Sequence, residues 1–165
     1  MSDQQTGNDI RAAIRKGDAE KVAALIGGDK AILDMMTPFG TFLHFAANKG
    51  QLEIVKLLVS MGAAADVDGG ISGGTALDQA ASEGHLEIVR FLLDSGARMD
   101  TSVPEKNPLF ASIVGGHTDV ARLLIERGIN TKPGADDPEE TKPLSVARKG
   151  NREEIIALLT SAERN

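Results

Sequence analysis

The chain has no cysteine among its 165 residues, which excludes a disulfide framework, a thiol nucleophile and a Cys-type zinc site. Tryptophan and tyrosine are also absent, and five phenylalanines make up the whole aromatic content. A core must therefore be built from Leu, Ile, Val and Ala, side chains whose modest size suits closely stacked helices. No apolar run is long enough to cross a bilayer. The stretch Met1 to Asp9 is polar and lacks the apolar centre of a signal peptide, so the expected compartment is the cytoplasm. Basic residues are outnumbered: 18 Lys and Arg stand against 24 Asp and Glu, a net charge of −6. An acidic chain repels phosphate backbones and anionic lipid, so neither nucleic acid nor membrane is an expected partner.

What is present is a repeat. The segment from Gly50 to Gly62, GQLEIVKLLVSMG, returns from Gly84 to Gly96 as GHLEIVRFLLDSG. It returns again from Gly116 to Gly128 as GHTDVARLLIERG, and looser copies open at Gly17 and Gly150. The opening glycines are 33, 34, 32 and 34 residues apart. A period of that length means a stack of supersecondary units, each burying its apolar face against the next.

Within each copy the apolar residues fall on a helical stripe: Leu52, Val55, Leu58 and Val59 in the first full one, widened by Ile54 and Leu57. A stripe that wide suits a helix buried between two neighbours. Gly62 and Gly96 follow such stripes where a left-handed C′ residue is needed. A shorter helix precedes each copy, with a Leu three residues before a small residue: Leu43 and Ala46, Leu77 and Ala80, Leu109 and Ser112, Leu144 and Ala147. Residues 1–8 read as a disordered polar lead, after which Asp9 caps a first helix carrying Ile10, Ala13 and Ile14. Residues 9–165 form one domain, divided into an N-terminal cap unit at about 9–37, repeats at 38–70, 71–104 and 105–137, and a C-terminal cap unit at 138–162. The Gly-, Pro- and Asp-rich connections read as projecting hairpins. The longest, Asn130 to Thr141, carries Asp136, Asp137, Glu139 and Glu140 and reads as a solvated acidic loop.

The stretch Thr41 to Ala47, TFLHFAA, together with Gly62 and Ala63 and the GHLEIV that opens at Gly84, resembles ankyrin repeats over about residues 9 to 162. That resemblance implies an all-α solenoid of about five helix-turn-helix units joined by projecting β-hairpin-like loops. The Thr-Pro-Leu-His signature is nowhere whole. Phe42 and Ala76 replace its proline, Asn107 and Lys142 its threonine, and Asp78, Phe110 and Ser145 its histidine. The resemblance gives the histidines a structural role, bonding the signature threonine and nearby backbone. His44, His85 and His117 sit at repeat positions rather than converging, so no metal site is expected. The glycine-dense run Gly69 to Thr75 lacks the lysine of a phosphate loop and reads as a tight turn. No catalytic constellation, cofactor site or metal site can be assembled.

The function implied is non-enzymatic: a scaffold or adaptor binding a protein partner through its fingers and concave helix face, as a monomer. An inhibitor or immunity-type protein that blocks a basic partner is the sharper alternative, and a small-molecule-binding protein or enzyme the remote one. By the family pattern the concave face is lined by Asn48 and Lys49, Ser82 and Glu83, Val114 and Gly115, and Arg148 and Lys149. The finger tips present Thr37 and Pro38, Ile71 and Ser72, Val103 and Pro104, and Pro138 and Glu139. Phe39, Ile71, Val103 and Val114 are apolar where stacking does not require it, which makes them candidate anchors.

Overall fold

A computed structural model describes residues 3–69, 73–132, 138 and 142–164. Eleven α-helices lie among them. They are α1 (Asp3–Lys16), α2 (Ala19–Ile26), α3 (Lys30–Leu33), α4 (Phe42–Asn48), α5 (Leu52–Ser60), α6 (Ala76–Ser82), α7 (Leu86–Asp94), α8 (Pro108–Gly115), α9 (Thr118–Glu126), α10 (Pro143–Lys149) and α11 (Glu153–Glu163). The architecture is the expected all-α one. The first helices α1, α4, α6, α8 and α10 pack side by side, and the second helices α2, α5, α7, α9 and α11 form a second layer. Among the described residues each unit packs chiefly on its neighbours along the stack.

The small residues explain how closely the first helices approach. Ala46, Ala47, Ala80, Ala81, Ser112 and Ala147 are fully buried, and a larger side chain at any of these positions would push adjacent helices apart. The second layer is filled by Val55, Leu58, Val89, Leu92, Ala121, Leu124, Ile155 and Leu159, all buried. The stripe read from the sequence is therefore the seam between units.

Three details differ from the sequence reading, and the turn of the fifth unit differs from that of the others. Residues 1–8 are not a wholly disordered lead, because α1 begins at Asp3 and Asp9 lies inside it rather than capping it. Gly7 is buried in that helix, and a Cβ there would meet the Met35 sulfur at 3.4 Å, so packing extends a helix that its polar residues do not announce. A short helix, α3, follows α2, with the Asp29 side chain accepting from the Ala31 amide. In the fifth unit the left-handed position falls on Asn151 (φ 52°), not on Gly150 (φ −84°). Asparagine tolerates that region because its short side chain bonds locally.

The histidines take two roles rather than one. His44 fills the signature role. Its Nδ1 accepts from the Thr41 hydroxyl at 2.8 Å and the Thr41 amide at 3.2 Å. Its Nε2–H donates across the unit boundary to the Val67 carbonyl at 2.9 Å and the Gly74 carbonyl at 3.2 Å. Burial holds its pKa below the usual histidine value, against the raising effect of those backbone bonds. His85 and His117 instead precede the second helices and reach back over the preceding unit. Their Nε2 groups donate to the Asn48 carbonyl at 3.0 Å and the Ser82 carbonyl at 2.9 Å. Arg152 holds the same place in the fifth unit, donating to the Val114 carbonyl at 3.5 Å.

The fingers are less uniform than the helices. Thr37 and Gly40 form an antiparallel bridge. Gly69 donates to the Gly74 carbonyl at 2.9 Å, and residues 70–72 of the expected tight turn lie outside the described residues. The finger before α8 is closed by a 3₁₀ turn at Pro104–Lys106. Asp66 pairs with Arg98 at 2.8 Å and Asp68 with Lys106 at 2.6 Å, tying successive fingers together. Exposed pairs of this kind contribute little each. The acidic stretch Asp136, Asp137, Glu139 and Glu140 lies outside the described residues.

The third unit carries Asp78 where the second carries His44. Its Oδ2 accepts from the Thr75 amide at 2.6 Å and hydroxyl at 2.9 Å, so half of the signature contact survives. Its Oδ1 is buried without a hydrogen-bond partner among the described residues. Burial raises this carboxyl to about 6, outweighing the Thr75 bonds, with Asp100 and Asp68 adding to the rise. A folded-state pKa above the unfolded one means the native state holds the proton more tightly. Its contribution to stability is therefore full at low pH and is lost as pH climbs from about 4 through about 6. At ~1.4 kcal/mol per pKa unit, the loss is about 3 kcal/mol. Asp78→Asn is expected to be more stable than the parent at about pH 8 and to flatten the slope between about pH 4 and 7. Urea titrations of both proteins across that range check it, and an Asn variant weaker than the parent at the alkaline end would refute the penalty on the charged form.

Candidate protein-binding surface

The surface on which the predicted residues fall is built by the first helices and the finger before α4. On α1, Ile10, Ala13 and Ile14 are buried. Arg11 and Arg15, one turn apart, therefore come out on a single exposed side. The finger from Thr37 to Gly40 is a tight turn. The Thr37 hydroxyl donates to the Gly40 carbonyl at 2.8 Å and accepts from the Phe39 amide at 3.1 Å. This turn leaves Phe39 outward at 39% exposure. Phe45, on α4, lies beside it with ring centroids 6.0 Å apart and planes inclined by 56°.

Three cations lie over this aromatic pair. The Arg15 guanidinium is 5.3 Å from the Phe45 ring centre, the Lys49 ammonium 5.6 Å from the same ring, and the Arg11 guanidinium 5.8 Å from the Phe39 ring. Each is within cation–π range, a contact contributing about 0.5–1 kcal/mol at exposed sites. A groove of about 170 Å³ opens here, lined by Arg15, Phe39, Phe45, Asn48, Lys49 and Gln79. A wider groove of about 540 Å³ lies on the other side of Phe39. Arg11, Met35, Met36 and Pro38 help to line it.

The structure thus places Phe39, Asn48 and Lys49 together in one groove, with Pro38 next to it. Asn48 donates to the Glu83 carboxylate at 3.4 Å, across to the end of α6. Ser82, Glu83, Val114, Gly115, Arg148 and Lys149 are exposed at the ends of α6, α8 and α10, continuing the row that Lys49 begins. Val103 is exposed beside half-buried Pro104, away from the aromatic pair. Ile71, Ser72 and Glu139 lie outside the described residues, while Pro138 is exposed. Phe45 joins Phe39 as a second aromatic beside this finger. The sequence reading also passes over Arg11, Arg15, Met36 and Gln79. The i, i+4 spacing of Arg11 and Arg15 opposite an apolar stripe was the available signal for two of them.

Among the described residues no group of three or more His, Asp or Glu side chains is placed to hold a metal ion, and no helix is long and apolar enough to cross a membrane. A comparison with curated proteins returned no significant match. Residues 10–103 match the family model for ankyrin repeats, three copies. Repeats of this kind generally mediate protein–protein interaction and are typically non-enzymatic. The match spans more than half of the chain, and α8 to α11 continue the same stack beyond it. With helix pairs, inter-unit glycines and the Thr41–His44 contact all in the places that such repeats require, the chain belongs to the ankyrin-repeat family.

Proposed function

We propose that this protein is a non-enzymatic scaffold or adaptor, one domain of five stacked units whose end units act as caps. Its protein partner lies across the fingers and the exposed ends of the first helices. One observation carries this reading. The large hydrophobic side chains exposed among the described residues are Met36, Phe39, Val103 and Val114, and all four fall on fingers or at a first-helix end. Apolar anchors surrounded by polar groups are what a binding surface presents. The stack supplies a rigid platform, so little ordering entropy is lost on association.

The test compares two double variants in affinity capture with partner identification. Val103→Asp with Val114→Asp should lose the partner that the parent retains, because a charge buried against apolar surface without a pair is costly. Glu53→Lys with Glu87→Lys changes exposed residues of the second helices and should retain it. Both should melt as the parent does, since exposed changes usually stay within ~0.5 kcal/mol. Loss in the second variant with retention in the first would move the interface to the other layer.

A further inference from the structure

We infer that the groove between α1, the first finger and α4 binds an acidic segment of a partner protein, with carboxylates on Arg11, Arg15 and Lys49 and an apolar side chain against Phe39 and Met36. This deepens the adaptor reading and rests on it. The net charge of the chain argues for a basic partner, but the local charge here has the opposite sign. Screening limits exposed charges to a reach of about 8 Å at physiological salt, so the groove's own lining decides what docks in it.

Among the described residues that lining holds Arg15 and Lys49 and no carboxylate, and the carboxylate bonded to it, Glu83, is engaged by Asn48 at 3.4 Å at its edge. Six other cations have ion-pair partners: Lys30, Lys56, Arg90, Arg98, Lys106 and Arg127. Arg11, Arg15 and Lys49 have none among the described residues. They are placed instead by the rings beneath them, at 5.8, 5.3 and 5.6 Å. Arg11 also donates one guanidinium N–H to the Asn8 side-chain oxygen, whereas the N–H edge of Arg15, lying on its ring, matches a carboxylate in two parallel hydrogen bonds. Stacking thus pre-orders the donors, so less side-chain entropy is lost on binding than for free surface arginines.

The apolar part of the site adjoins the charged part. Phe39 lines both grooves, and Met36, 55% exposed, lies on the far side with Met35 and Pro38. Methionine surfaces accept varied apolar side chains because the thioether chain adapts its rotamers. A segment alternating acidic and apolar residues engages both halves. Single-stranded nucleic acid is the competing occupant of a basic, aromatic groove. It fits less well, because stacking a strand needs exposed ring faces and Phe45, only 5% exposed, offers none to a base.

Fluorescence anisotropy with the full chain tests this, using labelled peptides of about twelve residues that alternate Glu–Leu, Gln–Leu or Lys–Leu, and a labelled oligothymidine of similar length. The Glu–Leu peptide should bind at least about tenfold more tightly than the other probes, and more weakly as salt is raised. Arg15→Gln with Lys49→Gln should reduce that binding about tenfold, and Phe39→Ala several-fold, with both variants still unfolding cooperatively above the assay temperature. Glu53→Gln with Glu87→Gln should leave it unchanged. No binding of the Glu–Leu peptide, equal binding of the three peptides, or binding indifferent to Arg15→Gln with Lys49→Gln would each overturn the inference. Preferential binding of the oligothymidine would overturn it in favour of nucleic acid. If these results fail while the captured partner still depends on Val103 and Val114, the adaptor reading stands and only the acidic ligand is lost.

Discussion

Leu92→Ala is expected to cost ~2–5 kcal/mol, the range for emptying a fully enclosed leucine site. Leu92 is fully buried on α7, and α7 lies between α5 and α9 while also packing on α6. Every side of the resulting cavity is lined by helices held in turn by another unit, so the walls cannot collapse inward without disturbing two interfaces. Leu159 is almost as buried, at 1%, but among the described residues α11 packs mainly on α9 and α10. Among the described residues no further unit packs on its outer side, so this helix can settle onto the truncated side chain. Leu159→Ala should therefore fall at or below the lower end of that range, about 2 kcal/mol. Burial alone ranks the two sites as equals, whereas the one-dimensional stack separates them. Urea titration of both variants decides the point. Equal losses would mean that the last unit is as constrained as the middle, contrary to its contacts.

This comparison also marks what was legible in the sequence. The seams were readable because they repeat: Val55 and Leu58 on α5 return as Val89 and Leu92 on α7, and a helical stripe preceding a glycine is local information. The start of α1 was not readable in that way. Its first residues carry no apolar periodicity, and the helix is secured by Gly7 against Met35, a contact between segments that nothing local announces. The turn of the last unit was not legible either, because Gly150 opens that copy in the sequence while the left-handed position is Asn151.

The candidate surface was half readable. Phe39, Val103 and Val114 stood out as apolar residues at positions that stacking does not use, and all three are exposed. Phe45 looked like one more core residue in an apolar helix, and by burial it is one. Its part in the groove arises only when Arg15, from the preceding unit, and Lys49, one turn along α4, are laid over its ring. Proximity across units is a property of the stack, and a reading that treats each unit separately cannot supply it. The same holds for His85 and His117. Sequence position suggested one role for all three histidines, whereas the carbonyls that bond these two belong to the unit before.

Gly84→Ala is expected to cost ~2–4 kcal/mol, against ~1–2 kcal/mol for Gly96→Ala, although the two glycines share a backbone conformation. Gly84 has φ 75° and Gly96 φ 91°. Each ends a helix, with the following amide donating back into the last turn: His85 to the Ala80 carbonyl at 2.9 Å, and Ala97 to the Leu92 carbonyl at 3.0 Å. A side chain in the left-handed region costs about 1–2 kcal/mol at either place. The surroundings then separate them. A Cβ on Gly96 would meet nothing within 4 Å, whereas one on Gly84 would lie 2.4 Å from Nδ1 and 2.7 Å from Cγ of His117. That ring reaches across the unit boundary and donates to the Ser82 carbonyl at 2.9 Å, so it must swing away and lose a bond worth about 1 kcal/mol. A double-mutant cycle isolates this contribution. In a His117→Ala background the obstruction is gone, and Gly84→Ala should cost no more than Gly96→Ala does. The coupling between positions 84 and 117 should thus be about 1–2 kcal/mol, in the range for residues in direct contact. Strict additivity would mean that the imidazole makes room without loss, and that the glycine is required for its backbone angle alone.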